Sequence, residues 1–125
     1  MMMLNLQIAR NSYMENVVKN TSNSVELLIM LYDGAIEFIN KAKKAILEGS
    51  LQEKIDNLER VNRIIEELLA SLNKKVGGKI AENLEMLYIF CLQELAKANL
   101  KNNIASLEVV EKILLELRDA WRQIK

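Results

Sequence analysis

No proline interrupts the 125 residues of this chain, so no ring closes off a backbone donor and no helix is forced to stop. Punctuation falls instead to glycine and to polar clusters, and four long stretches lie between them. From about residue 24 to 48, Leu28, Leu31, Tyr32, Ala35, Ile39, Ala42 and Ile46 recur at three- and four-residue steps. Asn23 or Ser24 can cap that helix, with Glu26 completing a capping box, and Gly49 is placed to end it in a left-handed conformation. Ser50 and Glu53 offer the next capping box. Leu58, Val61, Ile65, Leu68 and Leu72 then repeat as a heptad seam, which Gly77-Gly78 is expected to break. A third helix over about 79–98 presents Ile80, Leu84, Leu87, Cys91, Leu95 and Ala98. A fourth presents Leu107, Val110, Leu114, Leu117, Trp121 and Ile124.

Four amphipathic helices joined by short loops bury their stripes together when they alternate up and down. The expected fold is therefore all-α, an antiparallel up-down four-helix bundle over 23–125. Residues 1–22 form a separate N-terminal docking segment. Its apolar residues are irregularly spaced and it is too short for a stable isolated helix. It docks on the bundle as a displaceable cover, docks elsewhere, or stays free.

Length and charge exclude several functions. One domain and one core fit the length. Lys plus Arg balances Asp plus Glu, so the net charge is zero and the basic excess of a nucleic-acid binder is missing. No apolar run reaches the roughly 18 residues of a membrane span, and no signal peptide opens the chain. The single cysteine, Cys91, sits between Phe90 and Leu92, which predicts a buried, inert thiol in a reducing compartment.

Histidine is absent, which removes the usual general base and the partner of a nucleophilic serine. Carboxylate pairs such as Glu66-Glu67 cannot build the Glu-x-x-His metal sites of helical bundles. The one Gly-Gly is too short to cradle a phosphate. The expectation is a protein that is not an enzyme and needs no cofactor or metal.

Two helices carry more apolar residues than a stripe requires. The first adds Val25, Leu27, Ile29, Met30, Ile36 and Phe38; the third adds Met86, Tyr88, Ile89, Phe90 and Leu92. In a four-helix domain no helix is fully surrounded, so an external apolar groove is expected. Tyr32-Asp33-Gly34 is the most unusual local feature. Gly34 lies inside a helix, where a close approach by another backbone would justify it. Asp33 either pairs with an arginine such as Arg118 or meets a partner's donors.

These residues resemble a known family. Asn11-x-Tyr13, then Val17, Thr21 and Leu27, lead into Met30-Leu31-Tyr32-Asp33-Gly34-Ala35-Ile36. Gly77-Gly78-x-Ile80-Ala81-x-Asn83-Leu84 continues to Leu87-Tyr88 and Ala98-Asn99, and Glu116-Leu117-Arg118-Asp119-Ala120-Trp121 follows. In order, the three blocks resemble the flagellar export chaperone of flagellin, the FliS family, over about residues 11 to 122. Two departures are Ser24, where the family often has proline, and Phe90, where a second tyrosine is common.

The resemblance implies a cytoplasmic chaperone that binds the C-terminal segment of flagellin, prevents premature polymerisation and presents flagellin to a component of the membrane export gate. It also implies an anti-sigma factor or other flagellar assembly factors as further partners, and neither nucleic acid nor membrane embedding. On the motif positions, Tyr13, Ile29, Tyr32, Asp33, Gly34, Ile36 and Tyr88 are the expected protein-binding residues. A self-associating helical regulatory module binding another flagellar protein is the alternative.

Overall fold

The computed structural model describes residues 21 to 124. Helix α1 spans Thr21–Glu48, α2 Leu51–Ala70, α3 Lys74–Lys101 and α4 Ile104–Ile124. Residues 1–20 of the N-terminal segment, Tyr13 among them, lie outside the described residues, while 21 and 22, expected to belong to that segment, are in α1.

Helix α1 already includes Thr21, the first described residue, so Asn23 and Ser24 stand inside the helix rather than at its cap. The exit is as expected. Gly49 takes φ 74°; its N–H donates to Ile46 O at 3.2 Å and that of Ser50 to Ala45 O at 2.9 Å. This pair of bonds is the Schellman arrangement.

Ser50 does occupy the N-cap of α2, but its side chain makes no capping bond, so the expected box with Glu53 does not form. The break between α2 and α3 also falls earlier than expected. Asn73, not Gly77-Gly78, separates them: its side-chain oxygen accepts from Val76 N at 3.2 Å and starts α3 at Lys74. A side-chain cap satisfies an orphan donor that glycine leaves to solvent. Gly78 instead kinks α3 with φ 54° and ψ −124°, a conformation that a side chain tolerates poorly.

Helix α1 packs against α2 and α4, and α3 packs against the same two, which leaves α1 and α3 on a diagonal. The three short loops reverse the chain each time, giving the antiparallel bundle. At one end of it Lys54 is buried; its Nζ donates to Asn99 O at 3.0 Å and to Asn102 Oδ1 at 2.8 Å. Nearer that end than the other, Lys43 Nζ meets Glu111 Oε1 at 2.8 Å and joins α1 to α4.

The core contains Tyr32, Ala35, Ile39 and Ala42 from α1, Leu58, Val61, Ile65 and Leu68 from α2, and Leu107, Val110 and Leu114 from α4. These are the predicted stripes, although Ile124 at the end of the α4 seam is exposed. In α3 the face is rotated. Ala81, Tyr88, Cys91, Leu95 and Ala98 are buried, whereas Ile80 and Leu87 point outward. Tyr88 takes the inward position because its hydroxyl finds a partner in the core, and Leu87 is turned out by that choice. Cys91 is buried as expected; burial, and to a lesser degree the nearby Glu94 charge, push its thiol up to about 12.

Candidate functional site

The three sequence blocks meet at one place. Tyr32 and Asp33 of α1 face Arg118, Trp121 and Arg122 of α4, and Tyr88 of α3 reaches the same point across the diagonal. Tyr32 is fully buried; its hydroxyl shares a hydrogen bond with the hydroxyl of Tyr88. It also accepts from Trp121 Nε1 at 3.2 Å. Burial raises both phenols above the ordinary tyrosine value; for Tyr32 the bonds to Tyr88 and Trp121 partly offset it, and for Tyr88 the neighbouring Tyr32 adds to it.

Asp33, one residue on, lies at the half-exposed edge. Its Oδ1 accepts from Arg118 Nη1 at 3.0 Å, and its Oδ2 lies 3.8 Å from Arg122 Nη2. Arg118 also donates to Asp119 Oδ1 from Nη2, at 3.2 Å. The hydrogen bond it donates to Asp33 holds the Arg118 guanidinium above its ordinary pKa against a smaller desolvation, with Asp119 adding to the rise. The arginine pairing left open for Asp33 is thus made within the chain.

Gly34 is partly exposed. A Cβ added there would meet Ile64 Cδ1 at 3.6 Å, an ordinary contact. The expected close backbone approach is therefore not found within the described residues. Ile29 and Ile36 are buried, and Ile36 belongs to the core. Of the seven residues named from the motifs, only Asp33 and Gly34 present surface among those described.

The extra apolar residues separate into two groups. On α1, Val25, Ile29 and Ile36 are inside, and Phe38 is covered by cations, with Arg60 Cζ 5.4 Å and Lys41 Nζ 5.6 Å from its ring centre. Met30 alone of that set is largely exposed. On α3 the outer face remains open: Met86 is 69 % exposed, with Leu87, Ile89 and Phe90 each at about two-fifths. Met86 and Phe90 are four residues apart and share one side of the helix. Motif position favoured Tyr88, the buried neighbour of these residues; the excess of apolar side chains on the third helix was the signal for the open face.

No helix among the described residues is long and apolar enough to cross a membrane. No group of three or more His, Cys, Asp or Glu among them could hold a metal ion.

The family model described as flagellar protein FliS matches residues 5–125. The flagellar secretion chaperone FliS of Bacillus subtilis strain 168 is 34% identical over 94% of this chain and 86% of its own. That of Salmonella typhimurium is 36% identical over 79% of this chain and 74% of its own. A crystal structure described as a flagellar chaperone from bacteria superposes with a TM-score of 0.78 at 24% identity, covering 94% of both chains, and supports the bundle fold.

Proposed function

The chain belongs to the FliS family of flagellar secretion chaperones, and from that premise we propose that it binds the C-terminal segment of flagellin in the cytoplasm, keeps it from polymerising, and assists its delivery to the export apparatus. The observation that carries this reading is the open apolar face of α3 at Met86, Leu87, Ile89 and Phe90. A folded monomer gains nothing from leaving such residues in water, and an amphipathic client helix with anchors at i, i+3, i+4 and i+7 covers them well.

Filament-forming segments are apolar because they become the interior of a polymer. A chaperone that buries the same positions removes the polymerising surface. It must also release its client, and the cost of ordering an unstructured peptide moderates the affinity. Within the motif set, Asp33 and Gly34 offer the accessible atoms: the carboxylate accepts donors and the glycine admits a backbone. Tyr32, Ile29 and Ile36 are buried on the same helix, Tyr88 meets Tyr32 from α3, and Tyr13 contributes from the N-terminal segment.

The test is calorimetric titration of the full chain with a synthetic peptide from the C-terminus of flagellin from the same organism. Saturable one-to-one binding with a negative heat-capacity change is expected, weakened in Met86→Ser/Phe90→Ser. A folded chain that produces no binding heat at any temperature would sink the proposal.

A further inference from the structure

Apart from that face, the kinked start of α3 forms a second unusual surface. Every residue from Asn73 to Ile80 except Gly77 is exposed. The stretch reads Asn-Lys-Lys-Val-Gly-Gly-Lys-Ile, three cations and no anion in a chain whose net charge is zero. Val76 is 84 % exposed, the most of any large apolar side chain described, and Ile80 is 69 % exposed. Asn73 caps the first turn, Gly78 bends the chain, and Lys74 is drawn back along α3 to Glu85 Oε2 at 2.8 Å. Lys75 and Lys79 form no ion pair among the described residues.

Two exposed apolar side chains at the kinked start of α3, each beside a lysine without an ion pair among the described residues, match an interface that is negatively charged above and apolar below. We propose that the Asn73–Ile80 segment docks weakly and reversibly on an anionic lipid surface, with Val76 and Ile80 dipping into the headgroup boundary and Lys75 and Lys79 on the lipid phosphates. A bilayer interface takes up exposed apolar side chains and adds attraction for each basic residue near it, and this segment offers both with no anion among its residues. Lys79 and Ile80 lie two turns before Met86 and Leu87 on α3, whereas Lys75 and Val76 precede the Gly78 kink; the interaction would concentrate the chain at the membrane without inserting it.

The experiment is co-sedimentation of the full chain at low ionic strength with vesicles of phosphatidylcholine, with or without phosphatidylglycerol. Lys75→Glu/Lys79→Glu and Val76→Ser/Ile80→Ser serve as variants, their helicity checked by circular dichroism. The wild type should sediment only with the phosphatidylglycerol vesicles and be released by added salt. The charge reversal should reduce partition on the order of tenfold or more, and the serine variant should reduce it as well. Failure of the wild type to sediment, which would point to an acidic protein rather than lipid, overturns the proposal, as does sedimentation of both variants equal to that of the wild type. Titration of the flagellin peptide into Lys75→Glu and Val76→Ser, which lie before the Gly78 kink, should be unchanged, so that loss of lipid binding and loss of client binding are read separately.

Discussion

Trp121 donates its indole N–H to the hydroxyl of Tyr32 at 3.2 Å, and that hydroxyl also bonds Tyr88. Three helices are thus linked through one buried oxygen. Tyr32→Phe leaves the Trp121 donor and the Tyr88 hydroxyl without this partner and should cost about 1–3 kcal/mol. Tyr88→Phe removes one bond and should cost less. Because the groups form one network, Tyr32→Phe/Tyr88→Phe should cost less than the sum of the two. Urea unfolding followed by the emission of Trp121, the only tryptophan, measures all three; strict additivity would show that the network is not coupled.

The same buried groups set the alkaline limit of stability. Cys91 is raised from 9.0 to about 12, and Tyr32 and Tyr88 are raised from 10.0. Their protonated forms are retained by the folded chain and lost first by the unfolded one. Their contribution is therefore complete below about pH 9 and decreases as the pH rises toward the folded values. The slope is about 1.4 kcal/mol per pH unit for each proton the unfolded state gives up and the native state keeps. Cys91→Ala should remove the first part of the decline, just above pH 9, while the part beginning near pH 10 remains. An unchanged profile would mean that Cys91 titrates normally.

The stripes of α1, α2 and α4 were legible because period and burial agree there: Ala35, Ile39 and Ala42, or Leu58, Val61 and Ile65, have no competing use. The α3 face was misjudged by a fraction of a turn. Hydrophobicity ranks Leu87 above Tyr88, but the hydroxyl of Tyr88 finds Tyr32 inside, and that pairing is a tertiary fact. The helix break was misplaced because Gly77-Gly78 resembles a stop, while Asn73, three residues before Val76, supplies a local cap that residue counting undervalues. At the site, Arg118 could be named as a partner for Asp33 from charge alone. The motif could not separate residues that present surface, Asp33 and Gly34, from those that hold them in place, Tyr32 and Tyr88.

Lys54 shows how a buried charge serves the bundle end. Its ammonium holds Asn99 O and Asn102 Oδ1, where the carbonyl end of α3 favours a cation. Lys54→Met keeps the apolar stem but leaves both acceptors without this donor. The expected loss is about 1–3 kcal/mol, measured as a lower urea midpoint at constant m. Unchanged stability would mean that solvent replaces the ammonium without cost.

Gly34 separates stability from function most directly. In a helix interior glycine is about 1 kcal/mol less favourable than alanine, and an added Cβ would meet only Ile64 Cδ1 at an ordinary 3.6 Å. Gly34→Ala should therefore stabilise the free chain by up to about 1 kcal/mol. If Gly34 is kept for the approach of a client backbone, the same variant should bind the flagellin peptide more weakly, and Gly34→Leu more weakly still. Thermal unfolding and calorimetric titration on the same preparations give both quantities. A stabilised variant with undiminished affinity would remove Gly34 from the client surface and leave Asp33 as the only motif residue with accessible atoms among those described.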